Sequence, residues 1–330
     1  MHLCGGLAKR TSAHRAHGFL ATASLQCVQG VYKMEQGLTL TSAEIIYGLL
    51  ACALAIGLGA MLARKQAQAF RARPTNQRQG ETSGEGQLPG VNFFDYGDMR
   101  FLHLGTPAVQ GSMKISKPFD IHLEYQQRMM AWLLFADLDR VQHMHAMQLG
   151  LGAASLTKFC HLQLGMQTSA VEVNPEVLNT CRLWFHLPQD NAKLQVLLAD
   201  AAEVASDSHW QGKVDALQID LYDQEAAHPV YDSEDFYRNC RLMLTEDGCM
   251  TVNLFGHAHS FEKSLKNITA VFEAQAVWHF KPTHAGNKIV MAFKKPRSSD
   301  RDALTSQARA IELRWPLPAT KWLSALSMHA

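Results

Sequence analysis

Apolar positions in this chain keep two rhythms from Met147 onward. Short unbroken apolar runs alternate with longer stretches in which apolar residues return every third or fourth position. The runs read as strands buried on both faces, the stretches as helices with one apolar face. Strands are predicted from Met147 to Leu149, Ser169 to Val173, Leu194 to Leu198, Val214 to Asp220, Cys249 to Leu254, Val277 to Phe280 and Lys288 to Phe293. Between them, helices are predicted at Leu156 to Leu164, Pro175 to Trp184, Ala201 to Ala205, Ser233 to Leu244 and Ser260 to Phe272. Such alternation predicts an α/β fold with a doubly wound, mainly parallel sheet covered on both faces. The last two strands lie too close together for an intervening helix, so the sheet is expected to end in a hairpin with one antiparallel member.

Upstream of that domain the rhythm changes. Val91 to Tyr96, Met99 to Leu104 and Val109 to Ile115 are short strands separated by turns at Gly97-Asp98 and Gly105-Thr106-Pro107. They predict a small antiparallel β-unit over 91–120, ahead of a Rossmann-like domain over 121–296. Tyr125, Met129, Trp132 and Leu133 fall at i, i+4, i+7 and i+8, the spacing of one helix with an apolar face. Beyond Pro296 the composition turns polar, with one helical stretch before Trp315-Pro316, and 297–330 reads as a peripheral tail.

Residues 1–44 show no sustained periodicity until just past Met34, and are expected to be poorly ordered. Ile45 to Ala63 is free of charge; as a helix it would span about 28 Å, close to the ~30 Å of a hydrocarbon core. Thr41 and Glu44 make a capping box before it, and Arg64, Lys65, Arg71 and Arg73 follow. The segment is therefore a candidate membrane anchor that would leave everything downstream cytoplasmic. A buried helix is the alternative, because alanine and glycine outnumber leucine there. Residues 64–90 are polar and rich in glycine and proline, the composition of a flexible linker.

Charge narrows the functions on offer. The net charge of +1 and the lack of a basic stripe with interleaved aromatics argue against a nucleic-acid partner. The seven cysteines never form a C-x-x-C pair and read as reduced thiols. His143/His145 and His257/His259 are only pairs, whereas a metal site needs three or four convergent ligands, so no metal is expected.

Candidate chemistry concentrates at the carboxyl ends of the predicted strands, where open parallel sheets bind ligands. The first strand runs into Gly150-Leu151-Gly152, a turn that lets backbone approach a ligand closely. About twenty residues on, Glu172 ends the next strand, positioned to accept from ribose hydroxyls. Asp200, followed by Ala201, could accept from an adenine amino group, and Asp220 would face a reacting centre. Each acid has a plainer reading as a helix N-cap or turn residue.

Residues from about Val91 to Lys295 resemble the spermidine/spermine synthase family of aminopropyltransferases, which join an N-terminal β-unit to a methyltransferase-like Rossmann domain. The resemblance rests on Gly150-Leu151-Gly152, Glu172, Asp200, the D-x-x-D pair Asp220 and Asp223, Tyr125-Gln126, Gln110 and Phe236-Tyr237. It implies aminopropyl transfer from decarboxylated S-adenosylmethionine to a diamine, with no tightly bound cofactor. By the same resemblance, Asp220 would accept or orient the amine proton, Tyr125 would hydrogen-bond the amine and Asp223 would hold an ammonium. Gln110 would belong to the donor site, and Gln126 and Tyr237 to the substrate site; a homodimer through the β-unit is also implied. The chain departs from the family where Ala153 replaces an Asp contacting the donor's ammonium, and at Gln127, Gln224 and Pro282-Thr283-His284. His284 could replace a substrate-site tyrosine or simply be solvated. Loss of the acid at Ala153 would also suit intact S-adenosylmethionine, so a methyltransferase and a catalytically weak nucleoside-binding homologue are the alternative readings.

Overall fold

The computed structural model describes residues 88–222, 229–255 and 258–329. The N-terminal extension, the candidate anchor, nearly all of the linker, Asp223 and Gln224 lie outside the described residues. No helix among the described residues is long and apolar enough to cross a membrane.

In chain order, β1 (Asn92–Tyr96), β2 (Met99–His103) and β3 (Val109–Lys114) form the antiparallel β-unit. The chain continues through α1 (Glu124–Met129), β4 (His145–Leu149), α2 (Ser155–Lys158), β5 (Gln167–Glu172), α3 (Pro175–Trp184) and β6 (Leu194–Leu198). Next come α4 (Ala201–Ser206), β7 (Val214–Ile219), α5 (Glu234–Met243), β8 (Leu244–Leu254) and α6 (Ala258–Val271). Last are β9 (Val277–Phe280), β10 (Lys288–Phe293), α7 (Arg301–Arg314), α8 (Ala319–Trp322) and β11 (Leu326–Met328). The large sheet has the order β11-β9-β10-β8-β7-β4-β5-β6. Pairing is parallel from β6 through β8, and β10 is antiparallel to both β8 and β9, as the close spacing of the last two runs predicts.

Strand order reverses at β4, which has β5 on one side and β7 on the other. Diverging loops open a crevice beyond the strand ends at such a switch point. Local chemistry launches the helices there. The Asn174 side chain accepts from the Glu176 N–H at 2.9 Å, with Pro175 opening α3. Asp200 caps α4 and Ser233 caps α5 in the same way.

Two predicted helices change pitch. The Tyr125 to Leu133 stretch is α1 followed by a tight 3-10 turn at Ala131–Phe135, which packs Trp132, Leu133 and Leu134 into the core. Downstream of α2 the chain widens to π geometry over Phe159–Gln163. The peripheral tail is the larger correction. Leu304, Ala308 and Ile311, at i, i+4 and i+7 on α7, are buried with Trp322 and Leu326 against Trp278, Phe280 and Phe293. β11 then pairs with β9 and extends the sheet. A narrow apolar stripe is enough to bury a helix whose average composition is polar.

One buried charge carries a stability prediction. Lys158 is 1% exposed, and its Nζ donates to the Phe185 carbonyl at 2.6 Å, at the end of α3. Burial pushes the ammonium down to about 8 from 10.5. The unfolded chain therefore holds this proton more tightly between those values, and stability should rise as pH climbs from 8 to 10.5. The full interval corresponds to about 3 kcal/mol. Lys158→Met removes the titration, so the wild type should gain on the variant in urea unfolding at pH 7, 8.5 and 10. A gap that stays constant with pH would refute this role.

Candidate functional site

A cavity of about 440 Å³ opens at the carboxyl ends of β4, β5, β7 and β8, bordered by the β-unit. Gln110, Tyr125, Gly150, Gly152, Glu172, Asp200, Ala201 and Asp220 all line it. Eight sequence-predicted residues thus converge from β3, α1, the end of β5, the start of α4 and the segments that follow β4, β6 and β7. A larger cleft of about 830 Å³ lies at the opposite, amino end of the sheet. Its central polar groups are already engaged with one another: Asp215 accepts from the His145 N–H and from Thr245, and the His145 ring meets Ser169 Oγ at 2.9 Å. The first cavity is therefore the candidate site.

The glycine turn is shaped by its neighbours. Gly150 has φ +92°, and a Cβ there would stand 2.3 Å from the Asp220 carbonyl oxygen. The Leu151 N–H points at Glu172 Oε2 at 3.2 Å, while Glu172 Oε1 accepts from the Asn174 N–H at 2.9 Å. Burial raises the affinity of Glu172 for a proton, against the pull of these backbone donors. Its carboxylate stands at the end of β5 with the cavity before it.

Asp200 takes the N-cap reading offered by the sequence while also lining the cavity. Its Oδ1 caps α4 through the Ala202 N–H at 2.7 Å, and its Oδ2 accepts a short hydrogen bond from Tyr231. That bond pushes the Tyr231 phenol up to about 12.

Asp220 sits at the end of β7 on the cavity floor. Tyr125 donates to its Oδ2 at 3.0 Å and Asn253 Nδ2 to its Oδ1 at 2.8 Å. Burial pushes the carboxyl above the usual range, and the two donors offset part of the rise. The same burial, with the adjoining carboxylate, holds the Tyr125 phenol well above its ordinary value. A carboxylate with raised proton affinity, held on both oxygens and facing a cavity, can accept a proton from a bound substrate.

Other predicted residues lie elsewhere. Gln126 is buried beside Tyr125 on α1, behind the cavity wall. Tyr237 is core: it is 1% exposed on α5 and donates to Asp232 at 3.0 Å. His284 is exposed, with its backbone N–H on Glu124, which corresponds to the solvated reading. Ala153 is fully buried and faces Gly111 of β3, where a Cβ would stand 2.7 Å away. Sequence reasoning missed Asn253, Asn287, Tyr222 and Tyr231, all in the lining. Asn253 is a polar residue one position before the end of a predicted apolar strand, which is the one signal that could have drawn attention to it.

The family of spermine/spermidine synthase domains matches residues 155–303. A polyamine aminopropyltransferase from Neisseria meningitidis is 30% identical over 241 residues, covering 72% of this chain and 89% of that protein. Among solved structures, a probable spermidine synthase from Corynebacterium glutamicum superposes with a TM-score of 0.55 at 19% identity, over 77% of this chain and 96% of that one. Human methyltransferase-like protein 13, solved in complex with SAH, gives 0.52 at 20% identity, over 58% of this chain and 92% of that one. These two likenesses speak to the fold alone, a methyltransferase-like α/β sheet with a separate three-stranded unit.

Proposed function

Because the chain belongs to the spermine/spermidine synthase family of transferases, we propose that it moves an aminopropyl group from decarboxylated S-adenosylmethionine to a diamine. The observation that carries this reading is the Asp220 carboxylate, bonded by Tyr125 and Asn253, in a cavity that also holds Glu172 and Asp200. Among the described lining residues there is no lysine or arginine. Three carboxylates facing no cation suit a sulfonium donor and a diamine, both positively charged.

The chemistry follows from what each reactant lacks. A sulfonium is already activated as a leaving group, whereas a primary amine is protonated at neutral pH and cannot attack carbon. Asp220 takes the amine proton, helped by its raised proton affinity, and Tyr125 orients the nitrogen along the carbon–sulfur bond. The amine nitrogen bonds to the propyl carbon, the carbon–sulfur bond breaks, and its electron pair stays on the sulfur of methylthioadenosine. Glu172 holds the ribose hydroxyls, Gly150 and Gly152 let the donor lie against backbone, and Gln110, Asp200 and Ala201 complete the donor's side.

Ala153 favours a second reading, methyl transfer from intact S-adenosylmethionine, because the family's acid is absent there. The intact donor would, however, bring a carboxylate to a lining without a described cation. Incubation of purified protein with both donors and putrescine separates the two readings. Methylthioadenosine from the decarboxylated donor is the expected product; S-adenosylhomocysteine alone would establish the methyltransferase instead, and neither product would overturn both.

A further inference from the structure

The turn between β9 and β10 connects to Asp220 through a chain of side chains with one direction. An ionised Asp220 can only accept, so Asn253 meets it with Nδ2 and turns its Oδ1 away. Asn287 meets that oxygen with its own Nδ2 at 3.1 Å. The Asn287 oxygen in turn faces the Thr283 hydroxyl at 3.4 Å, and Thr283 Oγ1 accepts from the Asn287 N–H at 3.0 Å. A backbone bond from the Thr283 N–H to the Asn287 carbonyl, at 2.7 Å, closes the turn. Asn253, Thr283 and Asn287 are all buried, so water does not compete freely for these bonds. Each side-chain donor along the path points toward Asp220.

We infer that Asn287, seated by Thr283, is a positioning residue that fixes the orientation of the Asn253 amide and thereby keeps Asp220 in its proton-accepting form. Permitted partners enforce this orientation. An amide flipped at Asn253 would set two oxygens against each other at Asp220 and two nitrogens against each other at Asn287. Donors aligned in series also polarise one another, so the effect of Asn287 reaches a carboxylate that it does not touch. Ionisable neighbours of Asp220 among the described residues are Tyr125 from α1 and Tyr222 from the loop after β7, with Glu172 and Asp200 in the same lining. None of these is a cation, which leaves the amide chain and the Tyr125 hydroxyl to favour the ionised form. As a statement about catalysis, this rests on the aminopropyl-transfer reading.

The test measures the titration of Asp220 directly, so it does not depend on turnover. With 13C-labelled aspartate in the full chain, the Asp220 carboxyl signal is assigned by its loss in Asp220→Asn and followed against pH. Asn287→Leu, which leaves the Asn253 amide free to turn, should move the midpoint up by roughly one pH unit, the size of a lost hydrogen bond to a charged group. Asn287→Asp should move it further, because the new carboxylate accepts from Asn253 Nδ2 and turns the amide oxygen onto Asp220. Should Asn287→Leu fail to fold, Thr283→Val takes its place and should shift the midpoint in the same direction. The acid limb of kcat/KM for methylthioadenosine release should follow the same order. Midpoints that match the wild type in folded variants would overturn the inference, whether or not turnover is seen. Ordered midpoints without methylthioadenosine release would leave the inference standing and overturn the functional reading instead.

Discussion

Asp220→Asn is expected to lower kcat/KM for aminopropyl transfer about 10³-fold, within the range a general base contributes, without unfolding the protein. The amide fits the site. Its oxygen can accept from Asn253 Nδ2, and its nitrogen can donate to the Tyr125 oxygen, so neither neighbour is orphaned. Stability should move the other way from activity. Burial raises the folded-state affinity of Asp220 for its proton above the ordinary value of 3.8. The folded protein therefore binds more protons than the unfolded chain between the two values, and this group's contribution falls as pH rises through that window. Above that window the cost of the buried charge is present in the wild type and absent in the variant; below pH 3.8 the two should converge. Thermal unfolding at pH 4.5 and 7.5 should show the larger advantage for Asp220→Asn at the higher pH, a trade of stability for function. Activity within tenfold of wild type would remove Asp220 from the mechanism, and a less stable variant at pH 7.5 would contradict its electrostatics.

Gly150→Ala should be among the most damaging single substitutions in the domain, at more than ~4 kcal/mol, enough to prevent accumulation of folded protein. A Cβ at position 150 would lie 2.3 Å from the Asp220 oxygen and 3.1 Å from its carbonyl carbon. Neither can retreat easily, because the Asp220 N–H is bonded to the Leu149 carbonyl at 3.0 Å and anchors β7 against β4. Gly97→Ala is the matched control. That glycine has φ +59° with nothing within 4 Å of an added Cβ, so only the backbone cost of about 1 kcal/mol applies. Circular dichroism melts should separate the two variants clearly. A Gly150→Ala protein melting near Gly97→Ala would mean that the contact relaxes and that Gly150 is required by the ligand rather than by β7.

Gly150 also shows how far local pattern carries. A glycine after an apolar run announces a turn, and Glu172 about twenty residues later announces a nucleotide half-site, because both depend on neighbours in sequence. The burial of Tyr237 depends instead on the phase of α5 against the sheet, so a motif match assigned it to the substrate site when it belongs to the core. Leu304, Ala308 and Ile311 likewise form too sparse a stripe to be recognised until β9 and β10 supply the surface that they cover.

By itself, the sequence determined the alternation of strands and helices, the family, and the acids at the strand ends, since periodicity and strand-end position are properties of short stretches of chain. Only the tertiary structure decided which groups meet. Asn253 and Asn287 stand 34 residues apart and become partners because β10 pairs antiparallel with β8. Asn253 then reaches Asp220 because β8 lies parallel beside β7. Strand order and register bring those side chains within hydrogen-bonding distance, and neither is encoded in any one segment of the chain.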